Sequence, residues 1–290
     1  MDKILDLELT SQTCAPRPGA RIRHVSQKGL AMAAPTNPFK QALARGETQI
    51  GCWMSLAEPT CAEIMGTAGF DWLVVDGEHA PNDIRSIRDQ LMALSASPSH
   101  PVVRVPIGET WIIKQVLDAG AQTVLVPIVE TAEQARELVQ ACQYPPHGAR
   151  GVGAMAARAT MFGSTTDYIQ TADQEVCLLV QVENRAGMAA LDEILTVDGI
   201  DGVFIGPADL STDMGFQGNS AAPEVRAAIA DALTRIKAAG KAPGILGVAE
   251  EATQSYLDMG AQFLAVGIDV LILANHARAL SAHWKGKAKS

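Results

Sequence analysis

Eight short apolar runs punctuate the chain, near residues 49–55, 72–76, 101–105, 123–128, 177–182, 202–206, 242–247 and 263–267. They are apolar at successive positions rather than alternate ones, as strands covered on both faces must be. Between them apolar residues return at helical spacing. Ile84, Ile87, Leu91 and Leu94 mark one such face, and Val225, Ile229, Leu233 and Ile236 mark another, ended by Gly240. Asn82 and Asp83 stand where the first of these helices needs a cap. Thr131 and Gln134 have the spacing of a capping box ahead of Ala135, Leu138, Val139 and Cys142.

Four segments echo one another: TAGFDWLVVDG (67–77), DAGAQTVLVP (118–127), DGIDGVFIGP (198–207) and MGAQFLAVGID (259–269). Each places a Gly after a helical stretch, where a left-handed C-cap is expected, and then a buried strand. Eight strands alternating with helices predict a closed (β/α)8 TIM barrel. An open doubly wound sheet would announce itself with a Gly-rich GxGxxG first turn, and that motif is absent. The longest connection, over 130–176, carries YPPHGARGVGAMAARATMFG and is expected at the edge of the site or at a subunit interface.

The chain has 290 residues, which suits one barrel domain over 32–290. Residues 1–31 lack hydrophobic periodicity and the apolar core of a signal peptide. They are expected to be a disordered extension or the product of a misplaced start, with Met32 opening the domain. A net charge of −9 argues against nucleic-acid and polybasic membrane partners. No apolar run reaches membrane-spanning length. Cys14, Cys52, Cys61, Cys142 and Cys177 are odd in number and lack CxxC spacing, so reduced thiols and a cytoplasmic location are expected.

Barrel enzymes carry their chemistry at the C-terminal ends of the strands. Those ends read Trp53 and Ser55; Asp76, Glu78 and His79; Arg104; Gln181 and Glu183; Asp209; Gly247; and Asp269. Any single acid there could be a solvated loop residue or a helix cap, and Asp209 could cap the next helix. The polar ring as a whole is harder to explain without a ligand, because buried charges are costly unless paired or metal-bound. Glu183 and Asp209 end neighbouring strands, with no thiol nearby. Two such carboxylates suit a hard divalent cation, with positions left for water and a chelating 2-oxo acid. Arg104 adds a fixed positive charge beside a developing oxyanion. His79, the one histidine at a predicted strand end, suits proton transfer near neutrality. The other histidines are expected in the extension, loops or the last helix. None of the eight runs contains a lysine, and Lys241 only precedes one, which disfavours Schiff-base chemistry.

At these residues the chain resembles the HpcH/HpaI aldolase family of the phosphoenolpyruvate/pyruvate barrel superfamily. The resemblance runs from about Asn37 to Leu280, through AGFDWLVVDGEHAPND, PVVRVP, YPPHGARGVG, LVQVEN, DGVFIGPADLS, KAPGIL and AVGID. It implies class II cleavage of 4-hydroxy-2-oxo acids to pyruvate and an aldehyde such as succinic or tartronate semialdehyde, with Mg²⁺, Mn²⁺ or Co²⁺. The 4-hydroxy-2-oxoheptanedioate, 2-dehydro-3-deoxyglucarate and rhamnonate aldolases all remain open as subfamilies. The resemblance makes His79 the general base, Arg104 the transition-state stabiliser, and Glu183 and Asp209 the metal ligands. Gln181 becomes a substrate contact, and Ala208 and Asp209 bind the pyruvate carboxylate through their backbone. Asp118 becomes the acid that raises the histidine's basicity; spacing alone gives it no role beyond a helix end. The resemblance also implies a homo-oligomer, commonly a hexamer, with the last helix exchanged between neighbours. Two other readings stay open on the residues: a different 2-oxo-acid lyase or decarboxylase using the same enolate, and a non-catalytic metabolite-binding barrel.

Overall fold

The structure is a computed structural model, described over residues 32–288. The expected extension at 1–31 lies outside the described residues. Eight parallel strands close in sequence order: β1 (Gln49–Met54), β2 (Trp72–Asp76), β3 (His100–Arg104), β4 (Thr123–Val126), β5 (Cys177–Val182), β6 (Gly202–Ile205), β7 (Ala242–Leu246) and β8 (Phe263–Ile268). The helices are α1 (Pro38–Ala44), α2 (Pro59–Gly66), α3 (Ile84–Ala93), α4 (Thr110–Asp118), α5 (Ala132–Cys142) and α6 (Tyr168–Glu175), then α7 (Arg185–Ala189), α8 (Leu191–Leu195), α9 (Pro207–Asp213), α10 (Pro223–Ala238), α11 (Glu250–Asp258) and α12 (Asp269–Lys287). The (β/α)8 barrel predicted from the apolar runs is the observed fold.

Local chemistry explains the element ends. Asp83 caps α3, its carboxylate accepting from the backbone of Arg85 and Ser86 while the Ser86 hydroxyl accepts from the Asp83 N–H. The expected box at Thr131 is only half formed. Thr131 caps α5 through the Gln134 N–H, but the Gln134 side chain accepts from Glu130, one residue earlier. Gly69, Gly120, Gly199 and Gly260 of the repeat all have positive φ, between 88° and 106°, which a side chain would oppose.

Because strand side chains alternate, one apolar run feeds two cores. Trp72 and Val74 of β2 lie inside the barrel with Val102, Leu125, Leu179 and Phe204. Leu73 and Val75 lie outside, in the layer beneath the helices with Val103, Val124 and Val180. The same alternation turns Asp76, Arg104 and Gln181 inward at the C-terminal end.

The N-terminal end is sealed by α1. Asn37 is fully buried, caps α1 by accepting from Lys40, and donates to Thr123 Oγ1 and to the carbonyls of Gln122 and Glu175. Phe39 then sits among Trp72, Phe263 and His100, at 5.5–6.1 Å between ring centroids. Gly244 makes room for this plug, since a methyl group there would collide with the Phe263 ring.

His100 corrects the sequence reading. It is the first residue of β3, buried and stacked on Phe39, with Nε2 2.7 Å from Thr123 Oγ1. Burial pushes its pKa down to about 4. A folded-state value below the unfolded one, near 6.5, means that the unfolded chain binds the proton first. The stability this neutral imidazole carries is complete above about pH 6.5 and drains away as pH falls toward 4, by roughly 3 kcal/mol. Urea unfolding of the protein and of His100→Gln across that range should show the variant's curve flatter by about that amount. Parallel curves would refute a neutral buried His100.

Candidate active site

The open C-terminal end collects the inward polar positions. Asp76 holds Arg104 through two bonds, from Nε to Oδ1 at 2.9 Å and from Nη2 to Oδ2 at 2.7 Å. Both side chains are buried. Asp76 also accepts from Trp53 Nε1 and from the backbone N–H groups of Glu78 and His79. Arg104 lies over the Trp53 ring at 4.8 Å. Burial alone would raise the Asp76 carboxyl; the bonds from Arg104 outweigh it and hold it below the usual range.

Glu78 approaches the other side of the guanidinium, with Oε2 2.8 Å from Arg104 Nη1 and 3.9 Å from His79 Nε2. Its carboxyl is raised by burial, against the opposing charge of Arg104. His79 stands two-thirds exposed on the loop after β2. Across the mouth, Glu183 is buried at the end of β5. Its Oε1 accepts from the Ile128 N–H at 2.9 Å, and its Oε2 accepts from Gln181 Nε2. Burial raises its carboxyl, and the charges of Glu78 and Asp209 push the same way. Glu78, Glu183 and Asp209 thus form a group of mutually repelling carboxylates around one mouth. Gly206 lets it close, because a Cβ there would come 2.6 Å from Glu183 Oε2.

Asp209 does not cap α9. The N-cap is Gly206, no side chain caps that helix, and Asp209 stands exposed in its first turn beside Ala208. Pro207 has no N–H, and the first intrahelical bond comes from Leu210, so the N–H groups of Ala208 and Asp209 point free from the helix start. Gln181 Oε1 is buried with no hydrogen-bond partner. Glu183 and Asp209, with the unpaired Gln181 oxygen beside them, fit a hard cation by donor chemistry. Among the described residues no three or more His, Cys, Asp or Glu are placed so that all could hold one metal ion, so further coordination would have to come from water or substrate.

Three expectations fare differently. Asp118 ends α4, which runs back from β3 to the start of β4, so it lies at the opposite end of the barrel from His79 within one chain. There it accepts from the fully buried Arg150 at 2.8 Å. The long connection joins it there: Arg158 donates to the carbonyls of Ala119 and Leu91, away from this chain's own site mouth. Asp269, read as part of the polar ring, is a structural clamp that accepts from the backbone of Ser55, Leu56 and Val270. Asp76 was visible as a strand-end acid, but its grip on Arg104 needed the β2–β3 register, which pairs the two residues directly.

A model of the HpcH/HpaI aldolase/citrate lyase family matches residues 49–276. The chain belongs to this family. It is similar to a hydroxypyruvate/pyruvate aldolase of Roseobacter denitrificans, 58% identical over 254 residues, covering 88% of this chain and 99% of that protein. It is also similar to a 4-hydroxy-2-oxo-heptane-1,7-dioate aldolase of Salmonella paratyphi B, 52% identical over 253 residues, covering 87% and 96%. Among solved structures, an HpcH/HpaI aldolase/citrate lyase family protein of Burkholderia cenocepacia superposes with a TM-score of 0.84 at 40% identity, covering 86% of this chain and all of that one. Family members of this kind are aldolases, and the chain is a carbon–carbon lyase. The reading of a non-catalytic barrel is thereby set aside.

The raised Glu183 carboxyl has a stability consequence in metal-free protein. An acid whose folded pKa lies above its unfolded value, near 4.3, binds its proton more readily when folded. The wild type should therefore gain stability relative to Glu183→Gln as pH falls through that raised pKa, levelling off below about pH 4.3. Chemical denaturation in excess chelator at a series of pH values measures the difference; a constant offset would show that Glu183 is not strained by its surroundings.

Proposed function

We propose that the protein is a divalent-metal-dependent class II aldolase that reversibly joins a pyruvate-type 2-oxo acid to an aldehyde. The observation that carries this reading is the buried Glu183, destabilised as a carboxylate and facing Glu78 and Asp209, a charge arrangement that a cation relieves. Glu183 and Asp209 are its protein ligands. A cation held there, Mg²⁺, Mn²⁺ or Co²⁺, supplies Lewis-acid polarisation of the keto oxygen.

The chain's own groups do the rest. Asp76 fixes the Arg104 guanidinium, and N–H groups left over from its two carboxylate partners face the oxygen on which negative charge grows. The free N–H groups of Ala208 and Asp209 receive the carboxylate of the 2-oxo acid. Gln181 offers Oε1 to the substrate while its amide N–H stays on Glu183. His79, exposed at the mouth, takes the proton from the C4 hydroxyl during cleavage and returns it during synthesis.

Two relatives' names bear on the nucleophile. Those called hydroxypyruvate/pyruvate aldolase are 55–59% identical in several bacteria, and those called heptanedioate aldolase are 52% identical. The substrate class therefore widens from pyruvate to include hydroxypyruvate, with the short semialdehydes as acceptors. A cytoplasmic location accords with this chemistry and with the free thiols of Cys52, Cys61, Cys142 and Cys177. Among the described residues no helix is long and apolar enough to cross a membrane.

Purified protein with Mn²⁺ should convert pyruvate or hydroxypyruvate plus succinic semialdehyde, tartronate semialdehyde, lactaldehyde or glycolaldehyde to aldol products. Exhaustive chelation should abolish turnover, and Mn²⁺ should restore it. Glu183→Ala and Asp209→Ala should lose metal binding, while His79→Ala should bind Mn²⁺ and lose about 10²–10⁴ in rate. Full turnover after chelation, or carbon dioxide released without aldehyde chemistry, would overturn the reading.

A homo-oligomer built through α12 belongs to the same proposal. Only Asp269 of this helix is buried, and Val270, Leu271, Ile272, Leu273, Leu280 and Trp284 are exposed along it. So much unburied apolar surface on one helix calls for a protein partner, and a second copy is the natural one. Light scattering on the protein and on a Leu273→Glu/Leu280→Glu variant should show an oligomer reduced to smaller species; unchanged mass would exclude α12 as the joint.

A further inference from the structure

We propose that Gln134 is a positioning residue for the metal site: its side-chain amide locks the turn after β4, and that turn aims the Ile128 N–H at Glu183. The inference rests on the reading of Glu183 as a metal ligand.

Ile128 follows β4 with a φ of 54°, in the left-handed region. Among the described non-glycine residues with positive φ it is the one β-branched side chain. Branching at Cβ makes that conformation costly. The side chain is exposed, so burial does not offset the cost. Left to local preference the turn would relax, and surrounding contacts must hold it. What the conformation delivers is a single bond, from the Ile128 N–H to Glu183 Oε1 at 2.9 Å. The Gln181 amide donates to the other oxygen, Oε2. One neutral donor on each oxygen fixes the direction of the carboxylate and leaves each oxygen a further lone-pair site.

Gln134 supplies the hold. Its Nε2 donates to the Ile128 carbonyl at 3.0 Å, and its Oε1 accepts from the Glu130 N–H at 2.9 Å. The two bonds bracket the turn and use both ends of the amide, one as donor and one as acceptor. The Val129 N–H donates to the Gln181 carbonyl at 2.9 Å. The Ile128–Val129 peptide is thus held at its oxygen by Gln134 and at its nitrogen by β5. The Glu130 carboxylate accepts from Asn184 Nδ2 at 2.7 Å, which ties the next residue to the cap of α7. Glu183 lies between these two anchors in sequence. Spacing alone assigns Gln134 a different task, the second half of a capping box at Thr131. That task needs only an acceptor, and Glu serves it as well as Gln. The bond to the Ile128 carbonyl needs a donor, which Glu as a carboxylate lacks.

The test has two readouts, neither of which needs turnover. Amide exchange of the 127–131 segment, followed by mass spectrometry in chelator, reports the hold on the turn. Mn²⁺ affinity without substrate, from the paramagnetic resonance of the free ion, reports its consequence. Gln134→Met removes both bonds while keeping a good helix former. Exchange of the segment should quicken with the rest of the chain unchanged, and Mn²⁺ affinity should fall about three- to tenfold. Gln134→Glu keeps the acceptor and suits the first turn of α5, but cannot donate to the Ile128 carbonyl. It should lose affinity too, although its added charge attracts cations. In an Ile128→Gly background the left-handed turn needs less holding, and the loss from Gln134→Met should shrink to less than about twofold. Unchanged exchange in Gln134→Met overturns the proposal. So does full affinity in either Gln134 variant while Glu183→Ala abolishes binding. If Glu183→Ala binds Mn²⁺ as tightly as the wild type, the reading of Glu183 as a ligand fails, and the proposal falls with it.

Discussion

Arg104 carries a full positive charge at a position where strand alternation points its side chain into the barrel. A buried guanidinium is tolerable only if its hydrogen bonds and its charge are matched. Asp76 does both on the neighbouring strand, because the parallel register sets the two residues side by side. The same carboxylate then holds the DGEH turn and the Trp53 indole. One buried ion pair therefore fixes the floor of the site, the loop that carries His79 and the position of Glu78. Its loss would disturb all three at once, and Arg104 would be left with only the poorly aligned contact from Glu78.

The barrel interior is graded from end to end for a related reason. At the N-terminal end Phe39 of α1 closes the opening, and large rings fill the space, with Gly244 yielding to them. No water-filled route is needed there, and even His100 is kept neutral. At the C-terminal end the strands stop, the loops open, and the inward positions become Asp76, Arg104, Gln181 and Glu183. Packing at one end supplies the rigidity that lets like charges be held together at the other.

Those like charges are informative because they oppose folding. Glu78 and Glu183 both have carboxyls raised by burial, and each is raised further by the other acids in the mouth. A structure selected for stability alone would replace one of them with an amide or an apolar residue. Their retention beside a free helix start and an unpaired Gln181 oxygen marks the place where chemistry, and not packing, chose the residues.

The sequence by itself determined the barrel and the ring of residues at its mouth. Buried parallel strands are apolar on both faces, so each of the eight could be located to within about a residue or two, and the polar residues at their C-terminal ends then included Asp76, Arg104, Gln181 and Glu183. Tertiary structure decided everything that depended on which surfaces meet. His100 looked like a loop residue until α1 folded under the barrel and buried it. Asp269 looked like one more member of the polar ring until its carboxylate met the backbone of Ser55 and Leu56, more than two hundred residues away in sequence. Asp118 looked like a partner of His79 by motif, yet within one chain the direction of α4 carries it to the far end, onto Arg150. Glu78 was one acid among several in a motif until the closed barrel brought Arg104 against it. Spacing along a strand is a local property and can be read from the chain; the identity of a charge's neighbour is set by closure of the sheet.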